Sequence, residues 1–571
     1  MTYNNMAYSA ASRFWAEVAA CGVTDVVVSP GSRSTPLAVT ARNNPALRVT
    51  VQLDERVGSF CALGMAKASQ RCVGLVCTSG TAAANYLPAV VEAHHSGVPL
   101  LVCTADRPPE LRDVGAGQTI HQTKLYGNHV RWYAEVPCNL DHPDYFARLG
   151  VRAVTMAAAG PTTGPVHLNW PFRKPLEPQG QLNTHTPKVG KPTEQVRPLV
   201  EHEVAALAGL AQLPGLIVAG ALNLNEAEAQ AIVAFAETAG WPVLADAGSQ
   251  LKGRSPLVLN GAETVLDRLN QLDRLNRPSL KPELEPEVLL RLGGPPSNQA
   301  VSQWVARCSG AHHLLVDPSR RFEEPSFGWT TTLASDPVAL LEAATPQFVS
   351  ADPKDPNWSS AWIQVATQAW QHTESVLSAG SLLEPLLAAS VLRSLPAEVA
   401  LYVSNSMPVR DITSFWPPDA PPRRVLVNRG ANGIDGVVSS ALGAALAIDQ
   451  PVAALVGDVA VLHDVGGLLA ACSAGIDLTV VVPNNNGGGI FSLLPVASGD
   501  VDVHFTELFH APHHVNLQQL AIGLGANYQL ARNLDDLSKA IAQPCGVLVV
   551  EVPIDHAAGL AQRKQLAWQA D

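Results

Sequence analysis

The sequence has few charged residues and no long apolar run. Of its 571 residues, 15% are charged and 47% are apolar, and the net charge is −12. This composition excludes a disordered chain. It also argues against nucleic acid as the main partner, because phosphate binding requires a basic surface. The longest apolar stretch, residues 436–448, is too short to cross a membrane, so we predict no membrane span.

Paired cysteines and a leader signal are also missing. The nine cysteines are an odd number, and no CxxC motif occurs. Cys72 and Cys77 lie in an apolar run, which predicts buried thiols in a reducing compartment. The first ten residues, MTYNNMAYSA, contain neither a basic segment nor a long apolar one. We therefore expect no signal peptide and predict a cytoplasmic location.

Short β-branched runs alternate with helical runs rich in Ala and Leu. This alternation predicts an α/β fold of doubly wound parallel sheets with helices on both faces. The clearest strands are VTDVVVS (23–29), LRVTVQL (47–53), CVGLVCT (72–78), PLLVCTA (99–105), GLIVAG (215–220), VLLRLGG (288–294) and HLLVDPS (313–319). No GxGxxG follows the strands of the middle region, so we predict no dinucleotide site there.

Two segments interrupt this alternation and predict the domain boundaries. Residues 172–198 are rich in Pro and polar side chains, and residues 345–358 have a similar composition. Read as linkers, they divide the chain into three α/β domains, which we place at residues 1–185, 195–345 and 370–571. A chain of this length is also too long for one hydrophobic core.

The first and third domains contain similar segments. Residues 73–107 align with residues 452–486 without a gap, and both predict a strand, a turn of small residues, a helix, a glycine and a second strand. Any two βαβ units share part of this pattern. The matched length still favours two duplicated domains whose equivalent turns carry different chemistry.

The strongest chemical signal is the pair Asp458 and Asn485. Asp458 follows the apolar strand VAALV (452–456), and Asn485 follows LTVVVP (478–483). The carboxyl ends of adjacent parallel strands lie at one edge of a sheet, where these two oxygen ligands suit Mg²⁺. Gly457 and the glycines from Gly487 onward allow the backbone to approach a phosphate, and a helix after Asp458 offers N–H groups to an anion.

This GD and NN pair resembles the signature of thiamine-diphosphate enzymes, and a second position agrees with it. Glu55 follows the strand LRVTVQL and begins a helical run. In a first helical turn, an acidic residue is also ordinary, because the helix dipole favours it. Enzymes of the resembled architecture place there a glutamate that hydrogen-bonds the aminopyrimidine ring of the cofactor and takes part in its proton relay.

Six blocks in order resemble the 2-succinyl-5-enolpyruvyl-6-hydroxy-3-cyclohexene-1-carboxylate synthase (MenD) family, which acts on the route to menaquinone or phylloquinone. They are SPGSRSTP (29–36), TADRPPELRD (104–113), GAGQTIHQ (115–122), SNSMPVRD (404–411), NRGANGIDG (428–436) and NNNGGGIFSLLP (484–495). The resemblance implies pyrimidine-binding, central and diphosphate-binding domains, and the cofactors thiamine diphosphate and Mg²⁺, with Mn²⁺ as a substitute. It implies the substrates 2-oxoglutarate and isochorismate, and a homodimer or dimer of dimers with active sites at the subunit interface.

The same resemblance assigns roles to individual residues. Two arginines are expected to hold the distal carboxylate of the succinyl unit: Arg410 and Arg429. Isochorismate is expected to face Ser32, Arg33, Arg107 and Gln118. Near the cofactor we expect Glu55, Asn405, Ser406, Ile434, Gly457 and an apolar wall of Ile490, Phe491 and Leu494. The metal ligands are expected to be Asp458, Asn485 and Gly487. Arginine forks suit dicarboxylic substrates, because they bind a carboxylate through two hydrogen bonds.

The middle domain departs from the family pattern. The family often has a basic pair near residues 293–304, whereas this chain has Ser297, Asn298, Gln299 and Ala300 there. Either the alignment is shifted, or another base such as Arg291 or Arg320 takes the role. No site residue is therefore predicted in this domain.

Two other functions remain open at this stage. One is another thiamine-diphosphate carboligase or a 2-oxo acid decarboxylase, of the acetolactate synthase type, which would handle small monocarboxylates. The other is a non-catalytic binding protein with a degenerate thiamine fold. Such a protein is expected to have lost either Glu55 or the Asp458 and Asn485 pair, and all three are present.

Overall fold

The structure is a computed structural model. It describes the chain except residues 1–2, 139, 141, 180–181, 183, 189–196, 275–283, 329, 353–354, 499–502, 543–544 and 568–571. The described residues form three parallel sheets flanked by helices, which confirms the predicted α/β fold class. Among the described residues, no helix has both the length and the apolar character needed to cross a membrane.

The first sheet has the strand order β2-β1-β3-β4-β6-β5. Its strands are β1 (Asp25–Val28), β2 (Arg48–Val51), β3 (Val73–Cys77), β4 (Leu100–Asp106), β5 (Trp132–Glu135) and β6 (Val166–Pro171). The accompanying helices are α1 (Tyr3–Ala20), α2 (Thr35–Arg42), α3 (Glu55–Ser69), α4 (Thr81–Asn85), α5 (Leu87–Ser96) and α6 (Pro143–Ala158). Phe14 and Trp15 of α1 pack with strand residues such as Val26 and Val76 in one core cluster. Helix α3 packs on β1 and β3.

The middle sheet has a different order, β11-β10-β9-β7-β8. Its strands are β7 (Gly215–Ala219), β8 (Val243–Ala245), β9 (Val288–Leu292), β10 (His312–Val316) and β11 (Thr331–Leu333). The helices are α7 (Glu201–Ala208), α8 (Glu226–Ala239), α9 (Ala262–Arg274), α10 (Gln299–Arg307), α11 (Pro337–Val349) and α12 (Trp358–Ser378). Along β7, Ile217 belongs to one core cluster and Leu216 to another, so both faces of the sheet are covered.

The third sheet has the order β13-β12-β14-β15-β17-β16, which repeats the order of the first. Its strands are β12 (Ala400–Val403), β13 (Val425–Val427), β14 (Val452–Leu455), β15 (Leu478–Asn484), β16 (Asn527–Leu530) and β17 (Val547–Pro553). The helices in this part of the chain are α13 (Glu384–Ser394), α14 (Met407–Ser414), α15 (Val437–Ala447), α16 (Asp458–His463), α17 (Val465–Ala474), α18 (Leu517–Gly523), α19 (Leu534–Ile541) and α20 (His556–Gln565). The repeated order agrees with the predicted duplication.

The chain forms two compact units. One comprises residues 1–196, 428–450 and 463–478, and the other comprises residues 197–427, 451–462 and 479–571. Each predicted domain range contains one complete sheet, while α15 and α17 belong to the unit of the first sheet. The boundaries at 1–185, 195–345 and 370–571 stay a prediction.

One of the two predicted linkers is partly helical. Helix α11 continues to Val349, although residues 345–358 were expected to form a linker. The reason is packing, because Ala344 and Phe348 are buried in the middle-domain core on either side of Pro346. The described residues of the other segment, 172–198, form neither helix nor strand, and β6 ends just before them at Pro171.

Helices α3 and α15 pack closely through glycines within the first unit. A Cβ at Gly64 would lie 1.9 Å from the carbonyl oxygen of Ser440, and a Cβ at Gly443 would lie 1.9 Å from that of Cys61. Each helix therefore approaches the backbone of the other. These contacts require glycine, because a carbonyl oxygen in a helix cannot move aside as a flexible side chain can.

This packing generates a stability prediction. Gly64→Ala should lower the free energy of unfolding by about 2 kcal/mol or more, because the added methyl group forces two helices apart. The control is Gly523→Ala, at the end of α18, where an added Cβ meets no atom within 4 Å in the described chain. That change should be neutral or stabilising by up to about 1 kcal/mol. Denaturant unfolding of both variants measures the difference, and equal stabilities would contradict the packing argument.

Candidate active site

The predicted site residues fall into two groups, one in each compact unit. Residues of the second unit follow β12, β14 and β15, which are neighbours in the third sheet. They are Asn405, Ser406, Arg410, Gly457, Asp458, Asn485, Gly487, Ile490, Phe491 and Leu494. The remaining predicted residues belong to the first unit. They are Ser32, Arg33, Glu55, Arg107, Gln118, Arg429 and Ile434.

Asp458 is the first residue of α16, after the short turn that follows β14, and it is buried. Its Oδ1 accepts a hydrogen bond from Val459 N at 2.8 Å, and its Oδ2 accepts one from Gly487 N at 3.0 Å. The ring of His513 also contacts Oδ2, with Nε2 at 3.1 Å. Two of the three residues expected to bind the metal, Asp458 and Gly487, are thus in direct contact through the backbone nitrogen of Gly487.

The turn after β15 is held tightly by its glycines. Asn486 adopts a positive φ of 61°, and Gly487 has a φ of 151°. A Cβ at Gly487 would lie 2.3 Å from the carbonyl oxygen of His510, and one at Gly488 would lie 2.6 Å from that of Phe509. The absence of a side chain at these two glycines therefore allows the backbone of residues 509–510 to approach this turn closely.

The residues around Asp458 fit a hard cation and a phosphate group. Within the described part of the chain, no donor reaches the buried Oδ1 of Asn485, while its Nδ2 donates to Glu384 Oε1 at 3.3 Å. A Cβ at Gly457 would meet open space. Carboxylate and amide oxygens beside an open glycine form a donor set that suits Mg²⁺ bound to a diphosphate.

The turn after β12 combines a strained residue with an arginine. Ser406 has φ 69° and ψ −130°, an unusual conformation for a residue other than glycine, and it caps α14. Arg410, one turn into α14, donates from Nη1 to the carbonyl oxygen of Ser406. Asn405 is buried. Strained backbone of this kind concentrates at binding sites, where surrounding contacts maintain it.

The segment after Asn485 exposes apolar side chains. Residues 489–493 form a short 3-10 helix, and Phe491 and Leu494 are 37% and 44% exposed. The ring of Phe491 contacts that of Phe509 at a centroid distance of 5.9 Å. Ile490 is half-buried. The expected apolar wall is therefore an accessible surface in this chain, consistent with a role in contacting another molecule.

The middle-domain segment that lacks the family's basic pair packs against α14. Asn298 Nδ2 donates to Ser414 Oγ at 3.0 Å, so this segment adjoins the helix that carries Arg410. Arg291, one of the two bases considered as substitutes, is buried in an ion pair with Glu324. The other, Arg320, has a left-handed conformation with φ 53°.

In the first unit, Ser79 is the centre of a polar cluster. Arg107 donates from Nη1 to Ser79 Oγ, and Gln118 Nε2 donates to the carbonyl oxygen of Ser79 at 3.2 Å. Gln122 closes the cluster by accepting from Gly80 N at 2.7 Å. Desolvation lowers the pKa of the half-buried Arg107 guanidinium. Two of the four residues expected to face isochorismate are thus brought together.

The other two lie at the start of α2. Ser32 and Arg33 belong to a 3-10 turn, and a Cβ at Gly31 would lie 2.3 Å from Thr78 Cβ. Arg33 is buried, and its Nη1 donates to the carbonyl oxygen of Phe172 at 2.7 Å. One donor of its guanidinium is therefore used within the protein.

Glu55 is the first residue of α3. The cap of this helix is Asp54, whose Oδ1 accepts a hydrogen bond from Arg56 N at 2.8 Å. Glu55 therefore lies in the first turn of the helix, where the helix dipole favours a negative charge. The charge of the half-buried Glu55 acts on two buried groups, Cys77 and Tyr86. Burial, and then the Glu55 carboxylate, raises the pKa of the Cys77 thiol.

A buried ion pair holds the loop that contains Arg429 and Ile434. Glu92 accepts from Gly430 N at 3.0 Å and from Ala431 N at 2.6 Å. It also pairs with the buried Lys67 at 2.9 Å. Beside this loop lies a cavity of about 310 Å³. Its lining residues are Phe60, Leu87, Pro88, Val91, Glu92, Asn428, Ala431, Gly433 and Asp435.

Asp464 anchors the helix that follows this loop. It is buried, and its carboxylate accepts from Ser439 N and Ser439 Oγ, both at 2.7 Å, at the first turn of α15. Burial raises the pKa of Asp464 from 3.8 to about 6 in spite of these two hydrogen bonds.

Sequence reasoning missed Ser79, Gln122, Glu384 and His513. In the sequence His513 has no partner at metal-binding spacing, yet in the structure it contacts Asp458 across 55 residues. Glu384 carries no local signal, because an acidic residue in the first turn of a helix is common. Only Ser79 had a local signal, since its turn aligns with the turn of Asp458 in the duplicated segments.

Three family models match the chain in order. They are the N-terminal TPP binding domain of thiamine pyrophosphate enzymes at residues 9–125, the middle domain of thiamine pyrophosphate at 182–403, and the C-terminal TPP binding domain at 410–552. Together they account for most of the chain and agree with a thiamine pyrophosphate enzyme of three domains.

Curated relatives match nearly the whole chain. Similarity extends to the 2-succinyl-5-enolpyruvyl-6-hydroxy-3-cyclohexene-1-carboxylate synthase of Listeria innocua, with 37% identity over 97% of this chain and 96% of the relative. Identity to the synthase of Geobacillus thermodenitrificans is 38% over 96% of this chain and 93% of the relative. Identity to the synthase of Bacillus velezensis is 37% over 97% of this chain and 96% of the relative.

The buried carboxylate of Asp464 generates a prediction of pH dependence. Its pKa is higher in the folded chain than its ordinary value, so the folded state retains the proton between about pH 4 and pH 6. Stability from this group is present at low pH and is lost as the pH rises to about 6. Asp464→Asn should remove this loss, so its stability relative to the parent should rise by about 3 kcal/mol between pH 4 and pH 7.

Denaturant unfolding at several pH values measures this difference. The exposed Asp449, changed to Asn, serves as a control for the substitution itself. Parallel pH profiles of the parent and the Asp464 variant would show that the buried carboxylate does not titrate in this range.

Proposed function

The chain belongs to the 2-succinyl-5-enolpyruvyl-6-hydroxy-3-cyclohexene-1-carboxylate synthase family of thiamine pyrophosphate enzymes, and we propose that it transfers a succinyl unit from 2-oxoglutarate to isochorismate. Decarboxylation of 2-oxoglutarate precedes a 1,4-addition to the isochorismate ring. The product is an intermediate of menaquinone or phylloquinone biosynthesis. The observation that carries the proposal is the 37% identity to a curated synthase over 97% of the chain.

The proposed metal site consists of Asp458, Asn485 and Gly487. These residues would hold Mg²⁺, or Mn²⁺ in its place, together with the diphosphate next to Gly457. Support comes from the buried amide oxygen of Asn485, which has no donor within the described chain, and from the carboxylate of Asp458 beside it in the same sheet edge. When bound, thiamine diphosphate supplies the carbanion chemistry that decarboxylation requires.

Glu55 is the proposed acid–base residue. Its carboxylate would share a proton with the aminopyrimidine ring nitrogen, which keeps the ring in the tautomer that activates the cofactor. Ile434 would support the cofactor from the loop before α15, and Ile490, Phe491 and Leu494 would exclude water from the site. The partial exposure of Phe491 and Leu494 leaves both side chains accessible to a bound molecule.

The arginines are proposed to divide between the two substrates. Arg410 and Arg429 would bind the distal carboxylate of 2-oxoglutarate, with Asn405 and Ser406 beside the reacting carbon. Isochorismate would bind to the cluster around Ser79 through Arg107 and Gln118, with Ser32 and Arg33 next to it. Guanidinium groups in strand-end loops suit two substrates that each carry two carboxylates.

The proposal also includes an assembly and a location. In the resembled family, the pyrimidine half and the diphosphate half of the cofactor bind to different subunits, so we propose a homodimer or a dimer of dimers. A cytoplasmic location stays a prediction. The names of the curated relatives favour this function over an acetolactate synthase or a simple 2-oxo acid decarboxylase.

The direct test is an assay of the purified chain with thiamine diphosphate, Mg²⁺, 2-oxoglutarate and isochorismate. Mass spectrometry should identify the succinyl adduct of the isochorismate ring. Glu55→Gln should fold normally and react about 10²–10⁴-fold more slowly, because the amide cannot share the proton. A parent enzyme that decarboxylates pyruvate as readily as 2-oxoglutarate would favour the acetolactate-type alternative instead.

Single-turnover decarboxylation without isochorismate tests the division of the arginines. Arg410→Ala and Arg429→Ala should slow this step or raise the KM for 2-oxoglutarate. Arg33→Ala and Arg107→Ala should leave it largely intact and impair the capture of isochorismate. Each loss should cost at most about 3 kcal/mol, which is the scale for removing one partner of a charged contact. Equal slowing in all four variants would show that the division is wrong.

A further inference from the structure

A half-buried carboxyl group, that of Glu384, lies behind the proposed metal ligand Asn485. Glu384 begins α13, and its Oε1 accepts the hydrogen bond from Asn485 Nδ2 at 3.3 Å. Its other oxygen, Oε2, is inaccessible to water and has no hydrogen-bond partner in the described chain. A Cβ at Gly559 of α20 would lie only 2.8 Å from Oε2, so this helix closes over the carboxylate.

Two charged side chains on neighbouring helices influence the pKa of this carboxyl group. Burial raises the pKa of Glu384, the guanidinium of Arg563 opposes that rise, and the nearby Asp411 adds to it. Arg563 itself binds Asp411 through two hydrogen bonds of 2.7 Å. The three side chains form one part-buried cluster that joins α13, α14 and α20 within the second unit.

The network determines how the amide of Asn485 is oriented. The hydrogen bond runs from Asn485 Nδ2 to Glu384 Oε1, so the NH₂ end of the amide faces the carboxyl group of Glu384. With Nδ2 held by Glu384, Oδ1 must point away from α13. That oxygen is buried and receives no hydrogen bond from the described residues, as expected of an atom reserved for another ligand.

We propose that Glu384 is a positioning residue that orients the amide oxygen of Asn485 toward the metal ion. This inference rests on the proposed function, which makes Asn485 a metal ligand. Glu384 does not contact the metal in this scheme. Groups that orient a metal ligand from behind typically change metal affinity by about 10–100-fold when they are removed.

The test uses Glu384→Met and Glu384→Gln in the full-length chain. Methionine keeps the length of the side chain and removes the acceptor, whereas glutamine keeps an acceptor without the charge. Electron paramagnetic resonance of free Mn²⁺ in the presence of thiamine diphosphate gives the dissociation constant. It should rise about 10–100-fold for the Met variant and by a smaller factor for the Gln variant.

Kinetics separate positioning from a merely structural role. At saturating Mg²⁺ and thiamine diphosphate, the Gln variant should regain most of its kcat, with an unchanged KM for 2-oxoglutarate. The matched control is Glu374→Met, since Glu374 forms an ion pair with Arg393 on the protein surface. This control should bind Mn²⁺ as the parent does, while Asp458→Asn should lose binding.

The outcomes distinguish this inference from the proposed function. A parent protein that binds no Mn²⁺ with thiamine diphosphate would overturn the proposed function itself. If the parent and both Glu384 variants bind Mn²⁺ equally well, only the positioning role is overturned. If the Met variant does not fold, the Mn²⁺ dissociation constant of the Gln variant decides. The metal-free Gln variant must then have the same unfolding temperature as the metal-free parent.

Discussion

Parallel pairing places the carboxyl ends of neighbouring strands at one edge of a sheet, and this constraint organises the molecule. Every predicted site residue follows such a strand end. In the third sheet, β12, β14 and β15 are neighbours, so segments that begin near residues 404, 457 and 485 share one edge. In the first sheet, the adjacent β3 and β4 bring Ser79 and Arg107 into contact. Side chains that follow neighbouring strands can therefore meet even when they are far apart in the sequence.

The first and third sheets share one strand order and differ in the chemistry of their turns. The helical parts of the matched segments each end at a glycine in the left-handed conformation, Gly97 with φ 67° and Gly475 with φ 63°. At the equivalent turn after the strand, one sheet has Ser79 and Gly80, and the other has Gly457 and Asp458. The first turn binds polar side chains, whereas the second carries a buried carboxylate. A common backbone thus supports two different tasks.

The sheets could be predicted from sequence because buried parallel strands are continuous β-branched runs, as in β1 and β15. The roles of Asp458 and Asn485 were suggested by strand ends and by resemblance. Glu384 and His513 could not be found in this way, since their contacts to those residues span 101 and 55 positions and leave no local pattern. The extent of α11 was missed for a related reason, because tertiary packing of Phe348 outweighs the presence of Pro346.

The glycine contacts between α3 and α15 have a consequence for motion. Backbone atoms in direct contact leave no layer of side chains that could slide or change rotamer, so these contacts oppose sliding of one helix along the other. Glu55 stands at the beginning of α3, and Ile434 stands three residues before α15. The contact therefore couples the helix that begins with Glu55 to the helix that follows Ile434, and this coupling is established when the chain folds.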